Sequence, residues 1–581
     1  MPSSGDVDAV DASQRADSQV RVYGVPPREG AAPDEIVDGF LEAMTSVDIQ
    51  FATARKYLTK QAARSWKPGA GVTVLADGPT ARTVPSSGKD DDGRAYDLTG
   101  AQIAQLDGQH AYRPAPKGYG KQIHLVREEG PSGREWRIDA LPDGLLLGQS
   151  DFQRIFRPVN KYYFAADEDQ LVADPVYLRQ SIDPETRMDP VTQSVKALLD
   201  GPTGWLSPVV DSRFPSGTAL KAGVKSLAVD EQNTLKVPLN GKASDVDSKR
   251  CQQMAAQLLY TVRDLTSSRI GRVELRGPSG SLCVLSEGQA DDFVPDRRTV
   301  EPPHQYYVDE KARLVRMPSG TESDEAAEPA PGPLGTGGQV RLRAAAVSRD
   351  ERFAAGVSHD GHSLFVTPLA EGGEMGNSVV TSQDPTPNGG LSAPSWDGRG
   401  DLWVADRDPG HSRLLMLDDG AGQPVEVGIN GLNGGHVEEL RVSADGVRIA
   451  LLVSQGGKKT LQIGLIERIV QDGKPKVSVI ELHQSAPQME VSAMSWAGPS
   501  RLVVVGREAG GVEQLRYIQT DGSTAGAGVL PGANQVKAVA AADDDRLPLL
   551  ALSEEDGIVK LPPGENWKTV DKEGSSPVYP G

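Results

Sequence analysis

A short pattern occurs five times in the second half of this 581-residue chain, and it limits the fold more than any other feature. Its clearest copy is Val442-Ser-Ala-Asp-Gly-Val-Arg-Ile-Ala-Leu-Leu-Val-Ser454: a strand end, a tight Ser-x-Asp-Gly turn, then a run of β-branched and aliphatic residues. Asp445 suits the turn because its carboxylate can accept from backbone amides just ahead of it, and Gly446 because positive φ carries no steric cost there. The run that follows is apolar enough to be buried on both faces. Ser348-Arg-Asp leads in the same way into Phe353–Ser358, and Ser395-Trp-Asp-Gly into Asp401–Ala405. Ser495-Trp-Ala-Gly leads into Leu502–Val505, and Ala541-Ala-Asp-Asp into Leu547–Leu552. Successive starts lie about 50 residues apart, and a fixed period of that size with several strands per unit predicts a β-propeller.

The rest of the chain is too long to join one core, so about three domains are expected in all. Residues 1–30 are polar, contain Pro26 and Pro27, and read as a flexible tether. Residues 31–157 open with a helix from Pro33, whose apolar face is Ile36, Val37, Phe40, Leu41, Met44 and Val47. A second helical piece runs from Phe51 to Trp66, and strands follow at Val72–Leu75, Ala95–Leu98, Ala101–Leu106, Gln122–Val126 and Trp136–Ile138. Helices followed by a meander predict a small α+β domain of cystatin-like or NTF2-like shape.

Residues 158–286 read as a second α+β domain. Strands are expected at Lys161–Phe164, Leu171–Arg179, Ser226–Val229, Thr234–Pro238, Gly271–Leu275 and Leu282–Leu285. Asp189-Pro190 starts one helix and Gly201-Pro202 ends it. A longer helix over Ser248–Thr266 carries Cys251, Met254, Ala255, Leu258, Leu259, Val262 and Leu265 as a core-facing stripe. Residues 287–304 read as a hinge, and 305–581 as the propeller with a disordered Glu/Ala/Pro/Gly insert near 318–338. Tyr306–Val308 and Arg313–Met317 are expected to share a blade with Trp567–Val570 and Pro577–Gly581. That composite and the five repeats make six blades, with five as the alternative. The fold class is therefore multidomain and mainly β.

Chemistry is sparse. The formal net charge of −19 argues against nucleic acid as a partner. No apolar run is long enough to span a membrane. Gly456-Gly-Lys-Lys-Thr460 lacks the first glycine of a phosphate loop, since Leu452 stands there, and reads as a hairpin turn. Asp90-Asp-Asp-Gly93 and Asp543–Asp545 lack the alternating ligands of a calcium loop. Arg399-Gly-Asp401 matches an adhesion tripeptide in letters only. No Gly-x-Ser-x-Gly or His-Glu-x-x-His occurs. His110, His124, His304, His359, His362, His411, His436 and His483 share no ligand spacing. No catalytic residue, cofactor or metal site is assigned, and the chain is not expected to be an enzyme. The two cysteines, Cys251 and Cys283, fit no zinc pattern. They read as reduced, buried thiols, or as one disulfide if the protein is extracytoplasmic.

With the domains laid out, the chain resembles the LpqB family of actinobacterial lipoproteins over essentially its whole length. The middle domain resembles the GerMN module through Ala197-Leu-Leu-Asp-Gly-Pro202, Phe214-Pro-Ser-Gly-Thr218 and the helix Ala256–Leu265 followed by Val273-Glu-Leu. Glu135-Trp-Arg-Ile-Asp-Ala-Leu-Pro-Asp-Gly144 is similar to the family's N-terminal region, and Pro577-Val-Tyr-Pro-Gly581 to its propeller end. The resemblance implies an extracytoplasmic protein on the outer face of the cell membrane, tethered through a lipidated cysteine after a signal peptide. No residue of this sequence is assigned to that anchor. The N-terminus carries no secretory signal and taken literally reads as cytoplasmic; the expectation is instead that Met1 stands where signal and anchor cysteine were removed, leaving residues 2–30 as spacer. The resemblance also implies a monomeric partner of the extracytoplasmic domain of a sensor histidine kinase, of the MtrAB two-component type, affecting envelope and division. Two other functions fit the residues: a cell-wall glycan or peptidoglycan binder, and a hydrolase in the propeller channel. The first would expose aromatics, yet Trp396, Trp403 and Trp496 fall in turn or strand cores and are expected to be buried.

Overall fold

The protein's structure is a computed structural model. It describes residues 24–46, 48–85, 93–130, 133–179, 189–265, 269–294, 301–320, 326–337, 340–386, 389–526 and 530–581. Most of the expected tether and the Asp90–Asp92 turn lie outside them. The chain is mainly β and forms two compact units. One takes Met1–Ile103, Lys117–Arg157 and Arg179–Arg187; the other takes Ala104–Pro116, Pro158–Leu178 and Met188–Gly581.

In the N-terminal domain the helix Pro33–Met44 starts on proline, and Ala32 donates its amide to the Glu35 carboxylate at 3.2 Å. Its buried face is Ile36, Val37, Phe40, Ala43 and Met44. Six strands form the sheet, in which Val72–Leu75 runs parallel to Leu145–Gly148. The second helical piece is broken, because Gln50 and Phe51 take positive φ (50° and 57°). Helix resumes at Lys60–Ser65 once the Thr59 hydroxyl accepts from the Ala62 amide at 3.2 Å.

The middle region has two three-stranded sheets. In one, Phe156–Ala165 lies between Leu171–Arg179 and Val210–Asp211. In the other, Arg272–Gly277 lies between Thr234–Pro238 and Gly280–Ser286. Ser226–Val229, expected as a strand, contributes only an isolated bridge from Val229 to Leu235. Asp189 and Asp247 cap the helices Pro190–Leu199 and Ser248–Val262, each accepting a backbone amide at 2.8 Å. Cys251 and Cys283 are disulfide-bonded with their Cα atoms 6.2 Å apart, tying the long helix to the sheet beneath it. The stretch expected to be a hinge begins as helix Glu287–Ala290 and a turn Asp291–Phe293. Ala290 is buried, Tyr260 donates to Asp291 at 2.9 Å, and Phe293 packs edge-on against Phe164. Polar composition had hidden those two anchoring contacts.

Among the described residues the propeller has six blades. Their innermost strands are Ser575–Val578, Leu342–Val347, Ser395–Trp396, His436–Val442, Met489–Trp496 and Val536–Ala540, each touching the next around a closed ring. One apolar cluster fills each of the six gaps between blades. The repeated turn works as its residues suggest. Ser443 donates to Asp445, which accepts from the Val447 amide at 3.1 Å, while Gly446 takes φ +67°. Ser348 with Asp350 builds the same arrangement in the second blade; in the third, Asp397 itself accepts from the Arg399 and Asp401 amides and Gly400 takes the positive φ.

Two details differ from expectation. Lys568–Asp571, next to Trp567, pairs with Gly557–Leu561 inside the last repeat, so only Ser575–Val578 crosses to His304–Val308. The insert near 318–338 is also not wholly outside the core. Its residues 321–325 and 338–339 lie outside the described residues, but Glu328–Pro329 adds a strand to the composite blade. Ala330 and Leu334 are 1% and 2% exposed in the gap to the next blade. Small apolar residues in a Pro/Gly-rich tract can fill a gap even where no periodic pattern marks them.

Residues 577–581 seal the ring. Val578 and Tyr579 are buried, the Tyr579 hydroxyl donates to the Pro548 carbonyl at 2.8 Å, and the Gly581 amide donates to Val347 O at 2.9 Å. Deleting Pro577–Gly581 is expected to cost about 4 kcal/mol, as for loss of a buried aromatic. Thermal unfolding of the full and shortened chains checks this, and equal melting temperatures would contradict closure from both ends.

Candidate functional site: a docked propeller and its channel

Within the second unit the middle domain and the propeller share a core. Val447 and Leu465 of the fourth blade, 1% and 0% exposed, belong to the same apolar cluster as Phe164, Val172 and Leu258. The centre of this junction is Arg448, which is fully buried. Its guanidinium donates to Asp445 and the Pro499 carbonyl within the propeller, and to Ala173 O of the middle domain at 3.1 Å. It also lies over the Trp496 ring, 5.6 Å from the centroid. A buried cation survives in an apolar core only with its charge paired and its N–H groups directed at acceptors.

Polar contacts surround this point. Arg399 donates to both carboxylate oxygens of Asp167 at 2.8 Å and lies 3.3 Å from Glu168. Arg468 pairs with Asp397 at 2.8 Å and Asp401 at 3.3 Å. Burial and the neighbouring Asp397 carboxylate push the Asp401 carboxyl above its ordinary range. Arg399 is therefore occupied in holding the junction, and Asp401 in an ion pair with Arg468 inside the propeller. Gln170 donates to Ala444 O at 3.1 Å, Ser500 to Asn160 Oδ1 at 2.8 Å, and the Trp205 indole to Glu481 O at 3.0 Å.

A second buried carboxyl stands at the edge of the junction. The Tyr177 hydroxyl donates to Asp521 Oδ1 at 3.1 Å, and the Ser523 amide donates to the same oxygen at 2.9 Å. Asp521 Oδ2 is buried with no hydrogen-bond partner among the described residues. Burial pushes this carboxyl up to about 7, with Asp174 adding to the rise and the two donors opposing it. The same surroundings, with Asp521 itself, raise the phenols of Tyr177 and Tyr112, whose rings lie 5.5 Å apart.

One arrangement resembles catalytic machinery. Ser485 Oγ lies 3.2 Å from His483 Nε2. That nitrogen also faces Thr520 O at 3.2 Å, a pure acceptor, so Nε2 carries the proton and cannot take one from Ser485. No carboxylate orients Nδ1 among the described residues, Ser485 is fully buried, and Trp205 packs edge-on against the imidazole at 4.7 Å. Burial lowers the His483 pKa, so the ring is neutral. The pair is a structural contact and lacks the geometry of a nucleophile and base.

The other sequence features fall in ordinary positions. Gly456 and Gly457 form a hairpin turn closed by Gln455 and Lys458. His124 pairs with Asp139 and His304 with Glu351, on different elements. Asp543 pairs with Arg349 at 3.0 Å. Among the described residues no cluster of three or more His, Cys, Asp or Glu side chains could hold a metal. Trp396, Trp403 and Trp496 are 1%, 0% and 5% exposed, which leaves a stacking platform for sugars without these aromatics.

Arg448 is the residue that sequence reasoning missed. A signal was present: one cation within a run otherwise apolar on both faces must be either exposed or partnered. What the local pattern could not supply was the partner, because Ala173 lies 275 positions away.

Residues 26–153 match the family described as Lipoprotein LpqB, N-terminal domain, and residues 313–580 match Lipoprotein LpqB beta-propeller domain. Residues 161–276 match the domain described as Sporulation and spore germination. A Lipoprotein LpqB of Streptomyces avermitilis is 51% identical, covering 100% of this chain and 95% of its own. The chain belongs to the LpqB lipoprotein family. The LpqB of Streptomyces coelicolor is 49% identical with the same coverage. Among solved structures, TolB from Acinetobacter baumannii is 13% identical, covers 47% of this chain and 65% of its own, and has a TM-score of 0.31, too distant to bear on function. Membership of a lipoprotein family implies a secreted, membrane-anchored protein. No helix among the described residues is long and apolar enough to cross a membrane. The family descriptions name a lipoprotein and a β-propeller domain.

Proposed function

We propose that this LpqB-family chain is an extracytoplasmic lipoprotein on the outer face of the cell membrane that binds the extracytoplasmic domain of a sensor histidine kinase of MtrAB type. Through the kinase it affects the cell envelope and division, and it acts as a monomer. The observation that carries this reading is the fusion of the middle domain and propeller into one unit around Arg448, with no nucleophile, base or metal cluster assembled among the described residues. A broad surface that is already rigid loses little conformational freedom on binding, which suits a partner-recognition role. The Cys251–Cys283 disulfide agrees with an oxidising compartment.

Modulation would operate by population shift. A partner that prefers one kinase conformation changes its occupancy by the difference between its two affinities and by no more. Titrating the kinase's extracytoplasmic domain with the full chain in a calorimeter tests this. Saturable binding at micromolar concentration is the expected result. Absence of binding with both proteins folded would overturn the reading.

A further inference from the structure

The proposed kinase role makes no use of the propeller channel, where three blades bring arginines together. Arg343 lies on the innermost strand of the second blade, Arg407 follows Leu402–Asp406 of the third, and Arg441 lies on the innermost strand of the fourth. All three line one cavity of about 250 Å³ at the channel mouth, beside Glu438 and Glu439. The next cavity along the channel is only about 50 Å³, and Arg441 lines that one too.

Two of the arginines have carboxylates near them, Glu438 beside Arg407 and the Asp360 charge acting on Arg343. Arg343 donates to Gly389 O at 3.2 Å and Leu391 O at 2.6 Å. Arg407 donates to the same two carbonyls, at 3.1 and 3.4 Å, and lies 4.0 Å from Glu438. Two like charges are thus held on shared neutral acceptors. Burial first, and then the Arg407 charge, lower the Arg343 pKa. Arg441 bonds only its neighbour's carbonyl, Leu440 O at 2.7 Å, among the described residues. It is half-buried and lines both cavities, and no carboxylate lies within ion-pair distance of it among the described residues.

We infer that the channel mouth binds a small zwitterion, its carboxylate among Arg343, Arg407 and Arg441 and its amine at Glu438 and Glu439. A lining that sets three arginines beside two carboxylates favours a ligand carrying both charges and disfavours a fully anionic one such as phosphate, which must also approach both glutamates. The volume lies below the ~300 Å³ at which sites for drug-sized ligands begin, so the occupant has the size of an amino acid or dipeptide. Arginine suits this task because its planar fork matches a carboxylate in two bonds. Both glutamates sit on one strand beside Arg441, so carboxylate and amine would be read within a few ångströms of each other.

Calorimetry of the full chain at low salt tests this with three probes: glutamate, alanylalanine and inorganic phosphate. Glutamate or alanylalanine is expected to bind at least about tenfold more tightly than phosphate. Stronger glutamate binding would assign the site to free amino acids, and stronger alanylalanine binding to peptide ends. R441Q should weaken the preferred probe about tenfold with an unchanged melting temperature, since Arg441 holds no other element. E439Q should weaken the zwitterions and leave phosphate no weaker than before, a change of selectivity that loss of folding would not produce. No binding of any probe at millimolar concentration, phosphate binding as tightly as the zwitterions, or binding unaffected by R441Q would each overturn the assignment.

Discussion

Replacing Arg448 by methionine is expected to lower the stability of the second unit by about 4 kcal/mol, even though methionine fills a similar volume. The reason is what remains behind. Asp445, 6% exposed, would keep its charge in the core after losing its cation, and the carbonyls of Ala173 and Pro499 would lose their donors. An unpaired buried charge costs far more than a removed pair. The double variant Arg448→Met with Asp445→Asn is therefore expected to recover most of the loss, because an amide at that position can still accept from Ser443 and Val447. Urea unfolding midpoints of the wild type and both variants decide between these outcomes. A single variant as stable as wild type would mean that Arg448 does not hold the junction. Hydrogen exchange along Leu171–Arg179 would show where the loosening occurs, since that strand carries Ala173.

Asp521 gives the second large effect, and its sign is fixed by the direction of its shift. In the folded chain the carboxyl is raised to about 7, from an ordinary 3.8 in the unfolded chain. Between those values the folded state holds a proton that the unfolded state has released. Stability is therefore greatest below about pH 4 as far as this group is concerned, and is lost as pH rises through about 7. The span of about three pK units corresponds to about 4 kcal/mol. Asp401, also raised, slopes the same way, whereas Asp350, Asp360 and Asp384 are lowered and act in the opposite sense at acid pH. Asp521→Asn keeps an acceptor for Tyr177 and Ser523 but cannot ionise. It is expected to match wild type below about pH 4, to exceed it by roughly 1–2 kcal/mol at pH 5, and to exceed it by about 4 kcal/mol at pH 8. Melting temperatures across that range measure it, and parallel curves for the two proteins would refute the assignment.

The propeller was legible because its information is local. Ser443, Asp445 and Gly446 make their turn from neighbours within five positions, and each repeat restates it. Strand identity was less secure where runs are short. Trp567–Val570 and Pro577–Gly581 looked alike as β segments, and only pairing with Gly557–Leu561 separates their blades. The junction was not legible, because Arg448, Asp521 and Trp205 acquire their roles from partners hundreds of residues away. The channel arginines share that property. Arg343, Arg407 and Arg441 are unremarkable singly, and closure of the ring is what places them around one cavity.

The composite blade carries a consequence for how the chain is made. Tyr306 is among the first propeller residues and pairs with Val578, near the last. Bringing those ends together is a long loop closure, and topologies dominated by such contacts fold slowly. The middle domain waits as well, since its core includes Val447 and Leu465. Neither module can finish while the chain is still emerging, so unfinished blades remain open during synthesis and export. Intermediates with exposed strand edges are prone to aggregate. The last few residues thus set the moment at which the whole second unit becomes safe from misassembly.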